Sequence, residues 1–564
     1  MTANPTLKNE VATTDVAEAM ITQVQESEQT EQTEQTSQYL KLPSVVMVSI
    51  VLCLATFCVA VDNTIISTAV PRITKDFDSI DDVGWYASIY PLMSCAFQPS
   101  YGKVYSIFSS KKIFLAALLI FEIGSVVCAT ASSSHIFIGG RALAGLGSAG
   151  IQAGTTLVLA ESVPLRQRPT WNGIVGSMFA VGSVVGPLLG GAFSDSTTWR
   201  WCFYINLPLG GAVMIFTIFF YDGSRGTNKS PRPVGLRGLI ERFDLAGTCA
   251  FVAATVCLLL ALSWGGSTYA WDDARIVALL TLAGVLFCSF YGIERWKKDN
   301  AIIPLRLLRR QSIGAAILFG ICLGGVFFVN VYYIPLWFQL VNGVSAVESA
   351  ILFIPFMLSV VGGFMFAGFG TAATGYYTPF VYASSILMSI GAGLLSTVQP
   401  HLTSRATWIG FQILCGAGIG FGEEQGIYMV QTALPEKDIA IGVGIVFFAQ
   451  TFGGALFVSV AQTIFLANIS KVLKKVAPSL DPQSVLDSIY AGSSQTSPEL
   501  QAAYAPAIKS ALRVGMILAT ISSLGALLYD WKSLKAKNDD RNNEPSRDCG
   551  TEQEAQVRTE GKAE

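Results

Sequence analysis

The chain has 564 residues, of which 51% belong to the hydrophobic set and only 13% are Asp, Glu, Lys or Arg. That charged share is about half of what a soluble globular protein carries, which excludes a soluble enzyme and points to a chain held in a bilayer. The formal balance of −2 conceals three unlike segments: residues 1–40 hold one base and seven acids, residues 531–564 seven bases and eight acids, and residues 41–530 the other 29 bases and 24 acids.

In chain order, residues 1–43 form an acidic polar tail that includes the run Glu28-Gln29-Thr30-Glu31-Gln32-Thr33-Glu34-Gln35-Thr36. The tail lacks the apolar core of a cleavable signal peptide, and its composition marks it as disordered. Beyond it, windows of roughly 20 apolar residues, the length that crosses a hydrocarbon core of about 30 Å, recur along the chain. They fall near 44–67, 83–106, 112–132, 136–160, 171–193, 204–221, 246–265, 275–294, 313–340, 347–370, 378–398, 406–430, 440–466 and 511–530. Fourteen crossings would place both termini on one side. If that side is the cytoplasm, the inner loops carry seventeen Lys and Arg against nine outside, the asymmetry that accompanies an inner position.

Charges within the apolar windows are costly, roughly 2.5–3.5 kcal/mol each near a helix centre on insertion scales, so each needs a partner or an aqueous cavity. Five stand out: Asp62, Glu122, Arg141, Glu423 and Glu424. Asp62 lies deep in the first window and is followed by Asn63-Thr64, which favours a functional role. For Glu122 a structural pairing or a loop-end position is an equal reading. Arg141 sits in Gly139-Gly140-Arg141-Ala142-Leu143-Ala144-Gly145-Leu146-Gly147, where small residues let a neighbouring helix approach. It either poises a nearby carboxylate or ties two helices together. In the fifth window Gly182, Gly186 and Gly190 recur every four residues beside Pro187 and Gly191, a groove with a built-in bend.

Ten of the eleven cysteines fall in or at the edges of apolar windows and read as small core side chains, and Cys549 lies in the tail. The two histidines, His135 and His401, occupy short polar gaps, and no metal-ligand spacing occurs, so neither a metal nor a cofactor is expected. Asn468-Ile469-Ser470 is a glycosylation sequon in the outer loop 467–510, close to the membrane.

Together these segments resemble the major facilitator superfamily, and within it the fourteen-span drug:proton antiporters that include fungal toxin and multidrug efflux pumps. Gly182 to Gly191 matches the antiporter motif G-x-x-x-G-P-x-x-G-G in full, and Arg141-x-x-x-Gly145-x-Gly147 matches the fourth-span motif, whose arginine the family implicates in proton transfer. Asp62-Asn63-Thr64-Ile65 with Ala69-x-Pro71 and Ile73, the stretch Trp199 to Gly210, Tyr333 to Gln339, Gly343 to Ala346 and Phe448-x-x-Thr451-x-Gly453-Gly454 fit the same branch. Two features depart from it. Ser106 replaces the aspartate of the loop after the second span, which puts that loop's charge latch in question, and Glu423-Glu424 stand where uncharged residues are usual.

The resemblance implies an all-α polytopic protein of the major facilitator fold: a six-helix half over 44–221, a cytoplasmic linker 222–245, two inserted helices 246–294, a cytoplasmic loop 295–312, a second half 313–530 and a tail 531–564. The linker's basic segment 225–242 would be either an amphipathic helix on the inner leaflet, through Leu236, Leu239, Ile240 and Phe243, or a plain connection. The expected function is outward export of small apolar or amphipathic compounds driven by inward proton flow, with Asp62, Arg141, Glu122, Glu423 and Glu424 as coupling residues. Broad specificity calls for a cavity of aromatics and amides, for which Gln152, Tyr332, Tyr333, Trp337, Phe338, Gln339, Gln412 and Gln425 are the candidates. Proton-coupled uptake, as in siderophore or nutrient carriers, is the alternative, and the antiporter motif argues against it. A membrane enzyme or sensor is a third reading, without a nucleophile–base pair or phosphate loop to support it, and nothing suggests nucleic-acid binding. The protein is expected to act as a monomer in the cell membrane, with the vacuolar membrane as the alternative.

Overall fold

The computed structural model describes residues 40–79, 82–221, 244–266, 269–400, 404–476 and 498–534. Most of the acidic tail, the basic segment 225–242, His401, residues 477–497 of the outer loop and nearly all of the second tail lie outside the described residues.

Long apolar runs in lipid must satisfy every backbone N–H and C=O within the segment, which leaves the helix as the economical solution. The chain accordingly runs through α1 (Leu42–Phe77), α2 (Val83–Ile107), α3 (Ser110–Ala129), α4 (Ser134–Ser162), α5 (Arg168–Ser196), α6 (Trp201–Tyr204), α7 (Asn206–Phe220), α8 (Leu245–Trp264) and α9 (Ala274–Lys297). It continues through α10 (Leu305–Leu308), α11 (Gln311–Leu340), α12 (Ala346–Thr374), α13 (Thr378–Thr397), α14 (Arg405–Gly422), α15 (Gln425–Ala433), α16 (Glu436–Val476) and α17 (Pro498–Leu527). Local signals set the ends. Ser133, Asp244, Ser345 and Ser404 accept backbone N–H groups at helix starts, and prolines occupy the first turn of α1, α5 and α13, where their missing N–H costs nothing. Gly375, at φ 81°, closes α12 in the left-handed conformation.

Among the described residues, twelve helices are long and apolar enough to cross a membrane, which makes this a multi-pass membrane protein. Helices occupy all fourteen sequence windows, most with ends shifted by a few residues, while α1 runs ten residues past its window and α17 begins thirteen before its own. The two windows outside the twelve are 83–106, whose helix α2 is rich in Tyr and Ser, and 406–430, which is not one helix but two. The break falls at Glu423 and Glu424, after Gly416, Gly418, Gly420 and Gly422 have weakened the helix. The carbonyl freed at Glu423 accepts a 2.7 Å hydrogen bond from Gln450 Nε2, so the break carries its own backbone partner. The helix of the thirteenth window also outruns it: α16 continues to Val476, so Asn468 lies within a helix and not in the outer loop.

Packing repeats along the chain. In the first part α1 packs on α5 and α7, and α4 on α2 and α3. In the second α11 packs on α16 and α17, and α14 on α12 and α13. The two sets meet where α5 crosses α12 and where α2 crosses α16, while α8 and α9 pair with each other and α8 also leans on α2 and α16. Large side chains such as Phe219, Leu282, Phe366 and Leu524 are exposed on the outside of the bundle, where lipid and not water is the neighbour.

Candidate functional site

A cavity lies between the two sets of helices, with about 1230 Å³ of empty space counting its open mouth. Phe179, Phe327, Phe328, Phe364 and Phe447 supply much of its apolar wall, and Asn63, Gln152, Asn172 and Gln450 its amides. Glu423 and Glu424 are the ionisable acids on that wall, and no Lys, Arg or His is among the residues that line it. Glu423 and Glu424, at the break between α14 and α15, line the cavity together, as the consecutive pairs Thr155/Thr156, Phe327/Phe328 and Val360/Val361 do from intact helices. At the wall, Gln98 on α2 donates to Gln152 Oε1 on α4 at 2.9 Å and to Thr451 Oγ1 on α16 at 3.3 Å, joining the two sides of the cavity.

Asp62 and Arg141 form a second site. Both are fully buried, with Arg141 Nη1 2.6 Å from Asp62 Oδ2 and 3.1 Å from the Asp62 carbonyl oxygen. Asn206 Nδ2 donates to Asp62 Oδ1 at 2.8 Å and to Ser125 Oγ at 3.1 Å, so the pair ties α1, α3, α4 and α7 together. The guanidinium lies 4.5 Å from the centre of the Tyr90 ring, and Tyr90 in turn borders the cavity. Asp62 and Arg141 do not. One residue further along α1, Asn63 does reach the cavity, and Thr64 turns to α5, where its Oγ1 donates to the Gly182 carbonyl at 3.4 Å. Glu122 is buried against Gly210, with neither carboxyl oxygen hydrogen-bonded among the described residues, and it too lies off the cavity.

The glycines of the fifth-span motif hold α5 against α1. A methyl carbon at Gly182 would stand 2.6 Å from Ala60 Cβ, one at Gly190 2.6 Å from the Ile65 carbonyl oxygen, and one at Gly186 would collide with Thr64 Oγ1. Gly191 faces open space. Pro187 leaves α5 continuous, and its carbonyl accepts from Thr68 Oγ1 at 3.2 Å.

Of the eight cavity candidates named from the sequence, Gln152 alone lines the cavity. Tyr332 is on the outside of the bundle. Tyr333 is buried beside Phe465, and Trp337 and Phe338 pack on Trp408 at ring distances of 5.7 and 5.0 Å. Gln339 reaches Ser349 at 3.5 Å, Gln412 donates to the Leu352 carbonyl at 3.1 Å, and Gln425 accepts from Thr371 at 3.4 Å. For the residues on α11 the reason is position along the helix: α11 meets the cavity at Gly324, Phe327 and Phe328, and its later turns face α12, α14 and α16 or, at Tyr332, the outside of the bundle. Sequence reading passed over Asn172, Gly176, Phe179 and Ala180, whose spacing along α5 puts one helical face on the cavity. Asn468 donates to Ser510 Oγ at 3.0 Å and to the Ile464 carbonyl, a packed helical setting unlike the extended, exposed sequon that glycosylation uses.

A third cluster sits at the end of the bundle that carries residues 40 and 534. Gly102 lies against the Ala440 backbone, and the next residue, Lys103, donates to the Asp299 carbonyl at 3.3 Å. Arg306 grips Asp438 on α16 with two 2.7 Å bonds and Asp299 with a third of 2.6 Å, and hydrogen bonding to Asp438 raises its pKa further above the ordinary arginine value. Ser106 donates to the Lys103 carbonyl, and the link from α2 at this end runs through Lys103 to Asp299, which Arg306 in turn ties to Asp438 on α16.

A bundle of membrane-crossing helices that closes around a central, partly polar cavity defines a membrane transporter. The chain belongs to the Major Facilitator Superfamily, whose model matches residues 52–458. Among curated proteins it is 45% identical over 499 residues to the MFS-type transporter astH of Aspergillus oryzae, covering 87% of each chain. It is 41% identical over 514 residues to the efflux pump roqT of Penicillium rubens, covering 90% of this chain and 94% of the relative. It is 43% identical over 494 residues to the MFS-type efflux pump MFS1 of Arthroderma benhamiae, covering 86% and 91%. Among solved structures, the proton:xylose symporter XylE bound to 6-bromo-6-deoxy-D-glucose aligns with a TM-score of 0.57 at 14% identity, over 88% of this chain and 100% of that one, a likeness of fold.

Proposed function

We propose that the protein exports small amphipathic compounds by alternating access, driven by protons that move inward through Glu423 and Glu424. The observation that carries the reading is that these two carboxyl groups border the cavity and no Lys, Arg or His is among the residues that line it. Protonating a cavity carboxyl removes a charge from a poorly hydrated site and changes which way the cavity is best closed. The repeated packing supports two six-helix halves that rock about the cavity, with α8 and α9 as an inserted pair and fourteen crossings in all. Asp62 and Arg141 serve within the first half as a fixed pair that positions Tyr90 at the cavity wall. The relatives named as efflux pumps support export over uptake. The excess of Lys and Arg in one set of loops supports cytoplasmic termini in a cell membrane, and the reading requires only a monomer.

The energetics are sufficient. A membrane potential supplies roughly 2.3 kcal/mol per charge per 100 mV, and at about 1.4 kcal/mol per decade one proton sustains about a fifty-fold gradient of a neutral substrate. The test is efflux of preloaded Nile red from cells that express the chain. Export that stops when a protonophore collapses the gradient supports the reading; accumulation of the dye would favour uptake, and gradient-independent export would overturn proton coupling.

A further inference from the structure

We infer that the first part of the bundle holds one anionic phospholipid in a groove of its own, with an acyl chain between α1 and α7 and the phosphate on Lys41 and Lys111. The groove shares no lining residue with the transport cavity. The inference goes beyond the export reading and takes from it only the orientation of the chain in the membrane.

Shape is the first argument. Val48, Val51 and Leu52 of α1 form one bank and Phe216, Thr217 and Phe220 of α7 the other, around about 230 Å³ of empty space counting the open side. Phe114 of α3 and Val158 of α4, both buried, close the floor. Phe216 and Phe220 stack at a ring distance of 5.6 Å and are 39% and 46% exposed, so the slot opens sideways to the bilayer. Apolar walls without a neighbour forfeit their dispersion contacts, and a lipid tail is the apolar body at hand to restore them. Tails resemble one another, however, so the slot alone does not choose a lipid.

Charge makes the choice. The mouth lies at the end of the bundle that carries residue 40, where Leu40 N donates to the Ser162 carbonyl at 3.3 Å, one turn beyond Val158. Lys111, one turn before Phe114, donates from Nζ to the Ile218 carbonyl at 2.9 Å, which fixes its ammonium beside Thr217 and Phe220. An ammonium has three N–H donors, so a phosphate oxygen can share this one with Ile218. Lys41 stands at the start of α1, two turns before Val48 on the same face, and Lys112 adds a third positive charge. The acid at this end, Glu161, is engaged by Ser110 Oγ at 2.6 Å and by the Tyr221 hydroxyl, and three lysines outweigh it.

The depths agree as well. The lysines mark the level of the head groups and the slot begins one to two turns deeper, the order in which a phospholipid presents its phosphate and its chains. With the termini in the cytoplasm, the mouth opens into the leaflet where anionic lipids concentrate and where surface lysines attract them.

The test uses the purified full chain in vesicles of dioleoylphosphatidylcholine that contain a trace of phosphatidylserine with a diazirine in one acyl chain. Illumination and peptide mapping should place the adducts on residues 48–52 and 216–221. Unlabelled phosphatidylserine should halve this labelling at about a tenth of the mole fraction that zwitterionic phosphatidylethanolamine needs, and Lys41→Gln/Lys111→Gln, which leaves the buried walls untouched, should narrow that preference to under about twofold. The wild-type competition keeps the test decisive if the variant folds poorly. Adducts spread evenly over the lipid-facing helices, or equal competition by the two lipids, overturn the site. So does labelling displaced by inorganic phosphate alone, which would mean a bare anion site, or labelling lost as the protein-to-lipid ratio rises, which would mean that a second copy covers the groove. No arm reads transport, so failure here leaves the export reading standing.

Discussion

Arg141 and Asp62 form a fully buried ion pair, Nη1 to Oδ2 at 2.6 Å, separated from the transport cavity by the ring of Tyr90. Breaking a buried pair on one side leaves the other charge uncompensated, at a cost of about 3–5 kcal/mol. Arg141→Ala should therefore lower the thermal stability of the detergent-solubilised protein more than the double variant Arg141→Ala/Asp62→Asn, in which no orphan charge remains. Equal melting temperatures for the single and double variants would show that the pair is not energetically coupled.

The fifth-span glycines make a sharper contrast. At Gly186 a side chain runs into Thr64, whereas at Gly191 it meets nothing within 4 Å. Gly186→Val should cost about 1–3 kcal/mol through overpacking and reduce efflux at least tenfold. Gly191→Ala should leave efflux within about twofold and gain up to about 1 kcal/mol of helix propensity. Dye efflux at matched surface expression reads the difference. Similar effects from both would mean that the motif acts by something other than the approach of α5 to α1.

Much of this fold was legible because lipid enforces a simple grammar: every apolar window proved helical, and the buried charges Asp62, Glu122 and Arg141 proved to be clustered in the first six helices. The cavity wall was far less legible. Tyr333, Trp337 and Phe338 have the composition of a binding wall, yet they fill the contacts between helices, because aromatic rings pack a core as well as they line a pocket and only the depth of α11 against its neighbours decides between the two. The break at Glu423 was hidden for a related reason. It depends on Gln450, 27 positions away in sequence, to satisfy the freed carbonyl.

The contacts of Arg306 with Asp438 and Asp299 link α10, α16 and the turn after α9 at one end of the bundle. Removing this cross-link should favour opening of the cavity toward that end. Asp438→Asn is expected to speed alkylation of a cysteine placed at Thr156, on the cavity wall, by a membrane-impermeant maleimide added from the side of the termini. The charge-exchanged variant Arg306→Asp/Asp438→Arg should bring the rate back toward that of the parent. Unchanged labelling in Asp438→Asn would remove the latch.

At the opposite end, Arg200 and the Trp199 ring nitrogen donate to Asp76 Oδ2 at 2.9 and 3.1 Å, and the Arg200 hydrogen bond, followed by that of Trp199, holds the Asp76 carboxyl below its ordinary pKa. A depressed carboxyl contributes stability above its unfolded value and loses it as pH falls through the folded one. Asp76→Asn should accordingly flatten the acid side of a melting-temperature profile and leave the neutral side lower by a small amount, since the pair is half exposed. An unchanged acid limb would show that the contact is silent.

The central claim, that protons cross by way of Glu423 and Glu424, is tested most directly by trapping a pH dye inside vesicles that contain the protein with its termini outward, so that the lumen stands for the cell exterior. Substrate added outside is then carried inward in exchange for luminal protons. The account predicts that Nile red added to wild type alkalinises the lumen, and that Glu423→Gln/Glu424→Gln, correctly folded and inserted, gives no such signal. Luminal alkalinisation in the double variant at the wild-type rate would contradict it.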